Sequence, residues 1–192
     1  MSTPLSNPVL ILVRGMPGSG KSYLTAKLQA MFDAHDVVVL DPDATDYTSP
    51  EYAAHVAAQT AEGVDPALHA YRFLRAQAYD AIAAKKAIIW NQPFTNRDIF
   101  RKMMARLHDH AAAHDTTLKV IIVEVNVDPA LAKQRVAARK AAGGHGPSEN
   151  TLKNRIDAYE SFASEGYETI SVSGDGDPNA VSRDVVTRLK LL

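Results

Sequence analysis

The sequence predicts an α/β fold in which a parallel sheet carries a phosphate-binding loop. Two observations lead to this prediction. Five short apolar runs alternate with segments of helical periodicity, which is typical of βαβ units and of a parallel sheet. Between the first apolar run and the first helical segment lies the octet GMPGSGKS, at residues 15–22. A strand, a glycine-rich turn and a helix N-terminus form the arrangement that a phosphate site requires.

The octet 15–22 matches the Walker A pattern G-x-x-x-x-G-K-S/T at every fixed position. Its glycines let consecutive backbone N–H groups converge on phosphate oxygens without interference from a Cβ atom. Lys21 is predicted to reach the β- and γ-phosphates of ATP, and the Ser22 hydroxyl suits Mg²⁺. We therefore predict that ATP is bound by the octet residues Gly15, Met16, Pro17, Gly18, Ser19, Gly20, Lys21 and Ser22. A chance match is the alternative, and the flanking strand and helix argue against it.

The remaining elements follow in chain order. The apolar runs predict strands at 9–14, 37–40, 87–91, 118–125 and 168–172. The first helix is expected to end at about residue 34. Between the fourth and fifth strands, a helix that begins behind Ser148 is expected to carry the apolar stripe Leu152, Ile156, Tyr159 and Ala163. Proline after serine or aspartate marks further helix starts, because proline is favoured at the first helical position behind a capping residue. These starts are Ser49-Pro50, Asp65-Pro66, Asp128-Pro129 and Asp177-Pro178, and a helix is also predicted over 96–114.

Length and composition limit the class of protein. With 192 residues the chain is long enough for one well-buried core and short for two, so we expect a single domain over residues 1–192. A formal net charge of −1 gives no electrostatic basis for general nucleic-acid binding or for an anionic membrane surface. The absence of cysteine excludes thiolate metal sites and suits a reducing compartment. With no basic leader and no long apolar run, we expect a cytoplasmic protein.

Asp41-Pro42-Asp43 follows the second predicted strand. Ligands of open α/β sheets bind outside the carboxyl ends of the strands, which is also where the octet lies. A carboxylate at this edge can take the proton of an attacking hydroxyl or help to hold Mg²⁺, so Asp41 and Asp43 are candidates for these two roles. An ordinary turn with a local cap is the alternative.

A helical lid is predicted at about 139–155. Arg135 and Arg139 share one face of the helix before Gly143-Gly144-His145-Gly146-Pro147, and Arg155 lies on the next helix. Closing such a hinge excludes water and brings guanidinium groups to the charge of a transferring phosphoryl group. Arg135 and Arg139 are therefore candidate catalytic residues, and Arg139 and Arg155 candidate nucleotide ligands. A solvated basic face is the alternative, and the neighbouring lysines are compatible with it.

Other segments leave two interpretations open. Asn91 and Gln92 end the third strand, where they can bind a substrate or satisfy backbone groups. Ser173-Gly174-Asp175-Gly176 is either a loop beside the adenine or a plain turn. The alanine-rich stretch within 50–84 can form a helical cover over the substrate. Further candidates for acceptor contacts are Tyr47, Arg72, Arg75, Gln92 and Arg97.

From Val9 to Phe162 the chain resembles the small P-loop kinases of the zeta-toxin and polynucleotide-kinase type. The resemblance rests on the octet, on Asp41-Pro42-Asp43, and on the arginines that flank the glycine-rich hinge. It implies a three-layer P-loop NTPase fold with a five-stranded sheet in the order 2-3-1-4-5. It also implies that Asp43 acts as base toward the acceptor hydroxyl and that Arg135 or Arg139 contacts ATP phosphates, with Arg155 as a further candidate. The chain departs from zeta toxins at the third strand, where they carry a glutamate and this sequence has Asn91-Gln92.

These features predict an ATP- and Mg²⁺-dependent kinase that phosphorylates a hydroxyl group of a small molecule. One alternative is a toxin-type kinase of sugar nucleotides. Another is a nucleotide-binding switch without an acceptor, although such a switch needs no acceptor base. The sequence leaves the acceptor, the oligomeric state and the choice between ATP and GTP open.

Overall fold

The computed structural model describes residues 5–144 and 146–191, and its sheet confirms the predicted fold class. Five strands pair in parallel in the order β2-β3-β1-β4-β5, which is the order implied by the family resemblance. The strands are β1 (Val9–Arg14), β2 (Val37–Leu40), β3 (Ala87–Asn91), β4 (Lys119–Asn126) and β5 (Glu168–Ser173).

Helices connect the strands in the described part of the chain. They are α1 (Lys21–Gln29), α2 (Pro50–Ala61), α3 (His69–Ala83), α4 (Arg97–Ala113), α5 (Pro129–Ala141), α6 (Glu149–Asp157) and α7 (Pro178–Leu191), with a 3₁₀ turn at Pro66–Leu68. Ser49, Asp65 and Asp128 cap their helices with side-chain oxygens, as predicted from the proline that follows each of them. None of the described helices is long and apolar enough to cross a membrane.

Two helices are shorter than the periodicity predicts. The chain leaves α1 through i→i+3 hydrogen bonds at Met31 and Phe32, a tightening that is common where a helix ends. Helix α6 ends at Asp157, although the apolar stripe continues to Ala163. Beyond it, Phe162 N donates to Glu124 and Ala163 N donates to Ser161 Oγ, so side-chain acceptors take the place of helical carbonyls.

The sheet separates two apolar clusters, because successive side chains of each strand point to opposite faces. On one face Leu10, Leu12 and Trp90 pack under α3 and α4. On the other face Ile11 and Val13 pack against α1 and α7. Three layers result, as expected. Helix α2 has no buried residue and packs on α3 from outside, with Tyr52 edge-on to Phe73.

The register of the strands brings the candidate residues to one edge of the sheet. Val13 lies beside Asn91, and Leu40 lies beside Trp90. The octet after β1, Asp41 after β2 and Gln92 after β3 therefore leave the sheet at the same level. Candidate ligand and acceptor groups that are far apart in sequence become neighbours for this reason.

Candidate active site

The octet forms a tight turn that only glycine can complete. Gly18 and Gly20 have φ angles of +85° and +96°, which side-chain-bearing residues rarely adopt. A Cβ atom on Gly18 would also lie 2.5 Å from the carbonyl oxygen of Ala132. Helix α1 starts at Lys21, directly behind Gly20, so its first backbone N–H groups face the loop. The local geometry is that of an anion-binding helix N-terminus.

Lys21 is the central cation of the site. Its ammonium group donates to Met16 O at 3.3 Å across the loop. Burial lowers the pKa of Lys21 to about 8, the carboxylates of Asp43 and Asp41 oppose this, and Arg139 and Arg155 lower the pKa further. The ammonium group therefore lies within electrostatic reach of both aspartates and both lid arginines.

The two aspartates after β2 have different surroundings. Asp41 Oδ1 accepts from the backbone N–H of Asp43 at 2.8 Å, and its carbonyl accepts from Thr45 Oγ1 at 2.7 Å. The first bond fixes the Asp41 carboxylate, and the second fixes its backbone. The Asp43 side chain lines a cavity of about 560 Å³ above the octet, together with Lys21 and Ser22. The turn thus anchors the first aspartate and presents the second one to the cavity.

Asn91 connects the Asp41 carboxylate with Ser22. Its Nδ2 donates to Asp41 Oδ2 at 2.6 Å and lies 3.3 Å from Ser22 Oγ. The amide orientation is determined, because the reverse orientation would place Oδ1 against a carboxylate. Asn91 is 5% exposed, and its Oδ1 is buried without a hydrogen-bond partner among the described residues. Buried carbonyl oxygens normally have a partner, so this one can accept a hydrogen bond from a bound ligand or water.

The segment between β3 and α4, residues 92–96, forms one wall of the cavity. Trp90 Nε1 donates to Gln92 Oε1 at 3.0 Å, which fixes the Gln92 amide. Phe94 is buried with a φ of +45°, a strained value for a residue other than glycine. Asn96 caps α4 by accepting from Ile99 N at 3.0 Å. Gln92 therefore lines the cavity, and its amide is held in place by Trp90.

The two helices of the predicted lid contribute side chains to the cavity above the octet. Arg139 and Arg155, from α5 and α6, both line the cavity, and neither forms an ion pair with the described residues. Arg135 also lines it but is held by Asp175 at 2.8 Å and by Gly174 O at 3.2 Å. His145, in the predicted hinge, lies outside the described residues. The three arginines come together at the octet as expected, with Arg135 tied to the loop after β5.

The loop after β5 packs directly on the octet. A Cβ atom on Gly174 would lie 2.3 Å from Ser19 O, and Gly174 N donates to Asn126 O at 2.6 Å. Because Arg135 Nη1 also reaches Gly18 O at 3.5 Å, this loop, α5 and the octet form one contact region.

Sequence reasoning missed a buried ion pair beneath the site. Arg14, the residue before the octet, pairs with Glu124 of β4, and the two residues are 0% and 1% exposed. Arg14 also donates to Glu160 O at 2.8 Å and to Pro93 O at 3.2 Å. Its guanidinium lies 3.4 Å from the centre of the Phe162 ring. The pair therefore joins the octet, the wall segment 92–96 and the chain that follows α6.

Four other acceptor candidates from the sequence do not line the cavity. Arg72 donates to Gln59 at 2.8 Å, Arg75 lies over Tyr71, and Tyr47 packs against Tyr52. Arg97 is paired with Glu160 and Glu165. No residue between 44 and 90 contributes to the cavity wall, so α2 and α3 do not cover it in this structure. The helical cover remains a prediction.

Comparison with known families agrees with this arrangement. The model of the AAA_33 family, an AAA domain, matches residues 10–162. The chain belongs to the AAA_33 family. The match covers β1 to the end of the ion-paired segment after α6, and so includes the octet, both aspartates and the lid arginines. No curated protein shows significant sequence similarity to the chain.

Solved structures share the fold of this AAA_33 chain at low sequence identity. A protein from Chloroflexus aurantiacus is 20% identical with a TM-score of 0.66, over 96% of this chain and 97% of that one. A gluconokinase from Sinorhizobium meliloti is 17% identical with a TM-score of 0.56, over 95% of this chain and 92% of that one. The PezAT chromosomal toxin-antitoxin system of Streptococcus pneumoniae includes a chain that is 15% identical with a TM-score of 0.60, over 91% of this chain and 72% of that one. The fold is that of P-loop kinases.

Proposed function

We propose that the protein is an ATP-dependent kinase that transfers the γ-phosphoryl group to a hydroxyl group of a small molecule. One observation carries this proposal. The Asp43 carboxylate, the Lys21 ammonium and the guanidinium groups of Arg139 and Arg155 line the same cavity above a glycine-rich loop. A base, a phosphate-binding cation and charge-neutralising groups are the parts that phosphoryl transfer requires.

Asp43 is suited to act on the acceptor. In the proposed step the acceptor oxygen forms a bond to the γ-phosphorus, the bond from that phosphorus to the β–γ bridging oxygen breaks, and ADP leaves. The acceptor proton passes to the Asp43 carboxylate. Since Asp41 is fixed by Asp43 N and Asn91 while Asp43 faces the cavity, the second aspartate is the better candidate for this role.

Mg²⁺ fits the residues around Asn91. Ser22 Oγ and the Asp41 carboxylate both contact the Asn91 amide, so two oxygen groups of the kind that Mg²⁺ prefers are held side by side. The unpartnered Asn91 Oδ1 suits a donor such as a metal-bound water. When bound, the ion would neutralise charge on the β- and γ-phosphates. The described residues contain no cluster of three or more His, Cys, Asp or Glu for a metal, which agrees with Mg²⁺ bound largely by phosphate and water.

The lid arginines complete the electrostatics. Arg139 and Arg155 come from separate helices, and the segment between these helices contains Gly143 at a φ of +82°. A movement of the two helices toward each other would bring both guanidinium groups to the transferring group and exclude water. Arg135 would remain at the nucleotide side, because Asp175 and Gly174 hold it there.

The proposal is tested by measuring ADP release with a panel of hydroxyl-bearing metabolites. The wild type should show stimulation by at least one compound, and Lys21→Ala should lose it while remaining folded by circular dichroism. Asp43→Asn should reduce turnover by at least about a hundredfold with ATP still bound, as expected for loss of a base. Full activity of Lys21→Ala would contradict the proposal.

A further inference from the structure

We propose that the acceptor is an uncharged, hydroxyl-rich small molecule and that Gln92 and Asn96 donate hydrogen bonds to its oxygens. This inference rests on the proposed kinase function and goes beyond it by naming the chemical class of the acceptor. Phosphorylated acceptors, sugar nucleotides among them, are excluded by it.

The sheet order divides the cavity into two sides. The octet follows the central strand β1, with β2 and β3 on one side and β4 and β5 on the other. Arg135 lines the cavity and is hydrogen-bonded to Gly174 O after β5, so this arginine lies on the β5 side of the cavity. Asp43 and the wall segment 92–96 follow β2 and β3, so they form the opposite side. An acceptor that meets Asp43 must therefore lie against segment 92–96.

Four cations of the described residues line the cavity. Lys21 belongs to the octet itself, and Arg135 reaches Gly18 O. Arg139 and Arg155 come from α5 and α6, the two helices of the predicted lid. A bound triphosphate is a multiply charged anion that needs these groups, so they offer no surplus positive charge for a second anion.

The two arginines that adjoin segment 92–96, Arg14 through Pro93 O and Arg97 in sequence, are paired within the protein. Arg97, which follows segment 92–96, donates to Glu165 at 2.9 Å and to Glu160 at 3.1 Å. Arg14 is buried against Glu124. Consequently no lysine or arginine among the described residues lines the wall formed by segment 92–96 and Ile99. The charged group on that side is Asp43, which would repel a phosphate or carboxylate, and an unpaired buried charge is costly.

The two amides on this side present donors. Trp90 Nε1 can only donate, so Gln92 Oε1 is its acceptor and the Gln92 NH₂ group is the part left for a ligand. Asn96 Oδ1 accepts from Ile99 N, which leaves the Asn96 NH₂ group in the same way. The wall thus offers amide donors, one carboxylate acceptor at Asp43 and an apolar surface at Ile99, which is 50% exposed. Hydroxyl and ether oxygens on a carbon skeleton match this set.

The experiment uses the full-length protein, ATP labelled in its γ-phosphoryl group, and a deproteinised bacterial metabolite extract. Before the reaction the extract is separated on an anion exchanger into unretained and retained small molecules. We expect labelled phosphomonoester from the unretained fraction, at least about tenfold above the retained fraction, and none with Lys21→Ala. Label transferred mainly from the retained, anionic fraction would overturn this inference and leave the kinase proposal standing. Transfer from neither fraction by a protein that binds ATP would overturn both.

A second measurement tests the role of the Gln92 amide. Gln92→Glu keeps an oxygen for Trp90 but replaces the NH₂ donor by a second oxygen and adds a negative charge. The rate of transfer from the unretained fraction, at limiting extract, should fall by about tenfold or more, which is the cost of losing a hydrogen bond in a desolvated site. Gln134→Glu makes the same chemical change on α5 outside the cavity and should transfer label like the wild type. Equal rates for Gln92→Glu and Gln134→Glu would overturn the assignment of Gln92.

Discussion

Asn91 Nδ2 donates a hydrogen bond to the carboxylate of Asp41 at 2.6 Å, and the same nitrogen lies 3.3 Å from the Ser22 hydroxyl. Three segments distant in sequence meet in this contact: the end of β3, the turn after β2 and the start of α1. Asn91 carries no charge and cannot replace a metal-binding carboxylate. It can position the neighbouring one, and its buried Oδ1 remains available to a further donor.

Replacing Asn91 should therefore weaken Mg²⁺ binding more than nucleotide binding. In Asn91→Leu the Asp41 carboxylate loses a short hydrogen bond to a neutral donor and is free to leave Ser22. We expect affinity for Mg²⁺ in the ADP complex to fall by about tenfold, while ADP alone binds within about twofold of wild type. Isothermal titration with and without the metal measures both, and metal-free ADP is the internal control. Unchanged Mg²⁺ affinity would show that Asn91 does not position Asp41 for the ion.

Nucleotide affinity should decrease at alkaline pH. Burial lowers the pKa of Lys21 to about 8, so the ammonium group of the free protein loses its proton as the pH rises through that value. The charged groups that face the Lys21 ammonium are the carboxylates of Asp41 and Asp43 and the guanidinium groups of Arg139 and Arg155. ATP affinity should then fall by about tenfold between about pH 7 and about pH 9. Lys21→Arg, which does not titrate there, should show a flat profile; equal slopes for the two proteins would contradict the prediction.

A methyl group at residue 174 should displace the phosphate-binding loop. A Cβ atom on Gly174 would lie 2.3 Å from Ser19 O, closer than any van der Waals contact, and the neighbour is backbone that cannot rotate away. Gly174→Ala should lower ADP affinity by at least about tenfold, which fluorescence titration can measure. Gly176→Ala is the matched control, since its closest contact, Ser173 O, lies at 3.3 Å and needs only a small shift. Similar ADP affinities for the two variants would show that the loop after β5 does not position the octet.

Breaking the buried ion pair should cost stability. Glu124 accepts from Arg14, Ser161 Oγ and Phe162 N, so Glu124→Leu leaves a buried guanidinium without its counter-ion and a backbone N–H without its acceptor. The free energy of unfolding should fall by about 3–5 kcal/mol, which denaturant titration measures. Arg188→Ala removes only exposed ion pairs to Asp184 and Glu168 and should change it by less than about 1 kcal/mol. A loss below about 1 kcal/mol for Glu124→Leu would contradict the structural role.

Local sequence signals predicted most of the fold, because strand periodicity, capping residues and the octet each depend on residues that are close together in the sequence. β2 runs from Val37 to Leu40 as its four apolar residues predict, and α5 begins at Pro129 behind Asp128. The end of α6 was predicted wrongly. The apolar stripe continues to Ala163, but the helix ends at Asp157, and the backbone N–H of Phe162 donates to Glu124 and not to a helical carbonyl. No local pattern reports such a long-range acceptor.

The candidate site was predicted in part for the same reason. The octet, Asp43, Arg139 and Arg155 come from recognisable motifs, and the fold brings them to one cavity. The Asn91–Asp41 contact depends on strand register, and the donor orientation of Gln92 depends on Trp90, so neither follows from composition. A signal for the buried pair did exist, because Glu124 is a lone acid within the apolar strand β4 and Arg14 ends the apolar strand β1. Charged side chains in buried strands need a partner of opposite charge, and Arg14 and Glu124 are partners of each other.

The proposed function requires that the γ-phosphoryl group of ATP moves to an acceptor hydroxyl. This transfer can be measured by phosphorus NMR of the products, with wild type, Asp43→Asn and Lys21→Ala incubated with ATP, Mg²⁺ and each of the two metabolite fractions in turn. We expect ADP and a phosphomonoester in equal amounts from the wild type, little ester from Asp43→Asn, and neither product from Lys21→Ala. ADP with an equal amount of inorganic phosphate and no ester would contradict it, because that is the outcome for a nucleotide-hydrolysing switch without an acceptor.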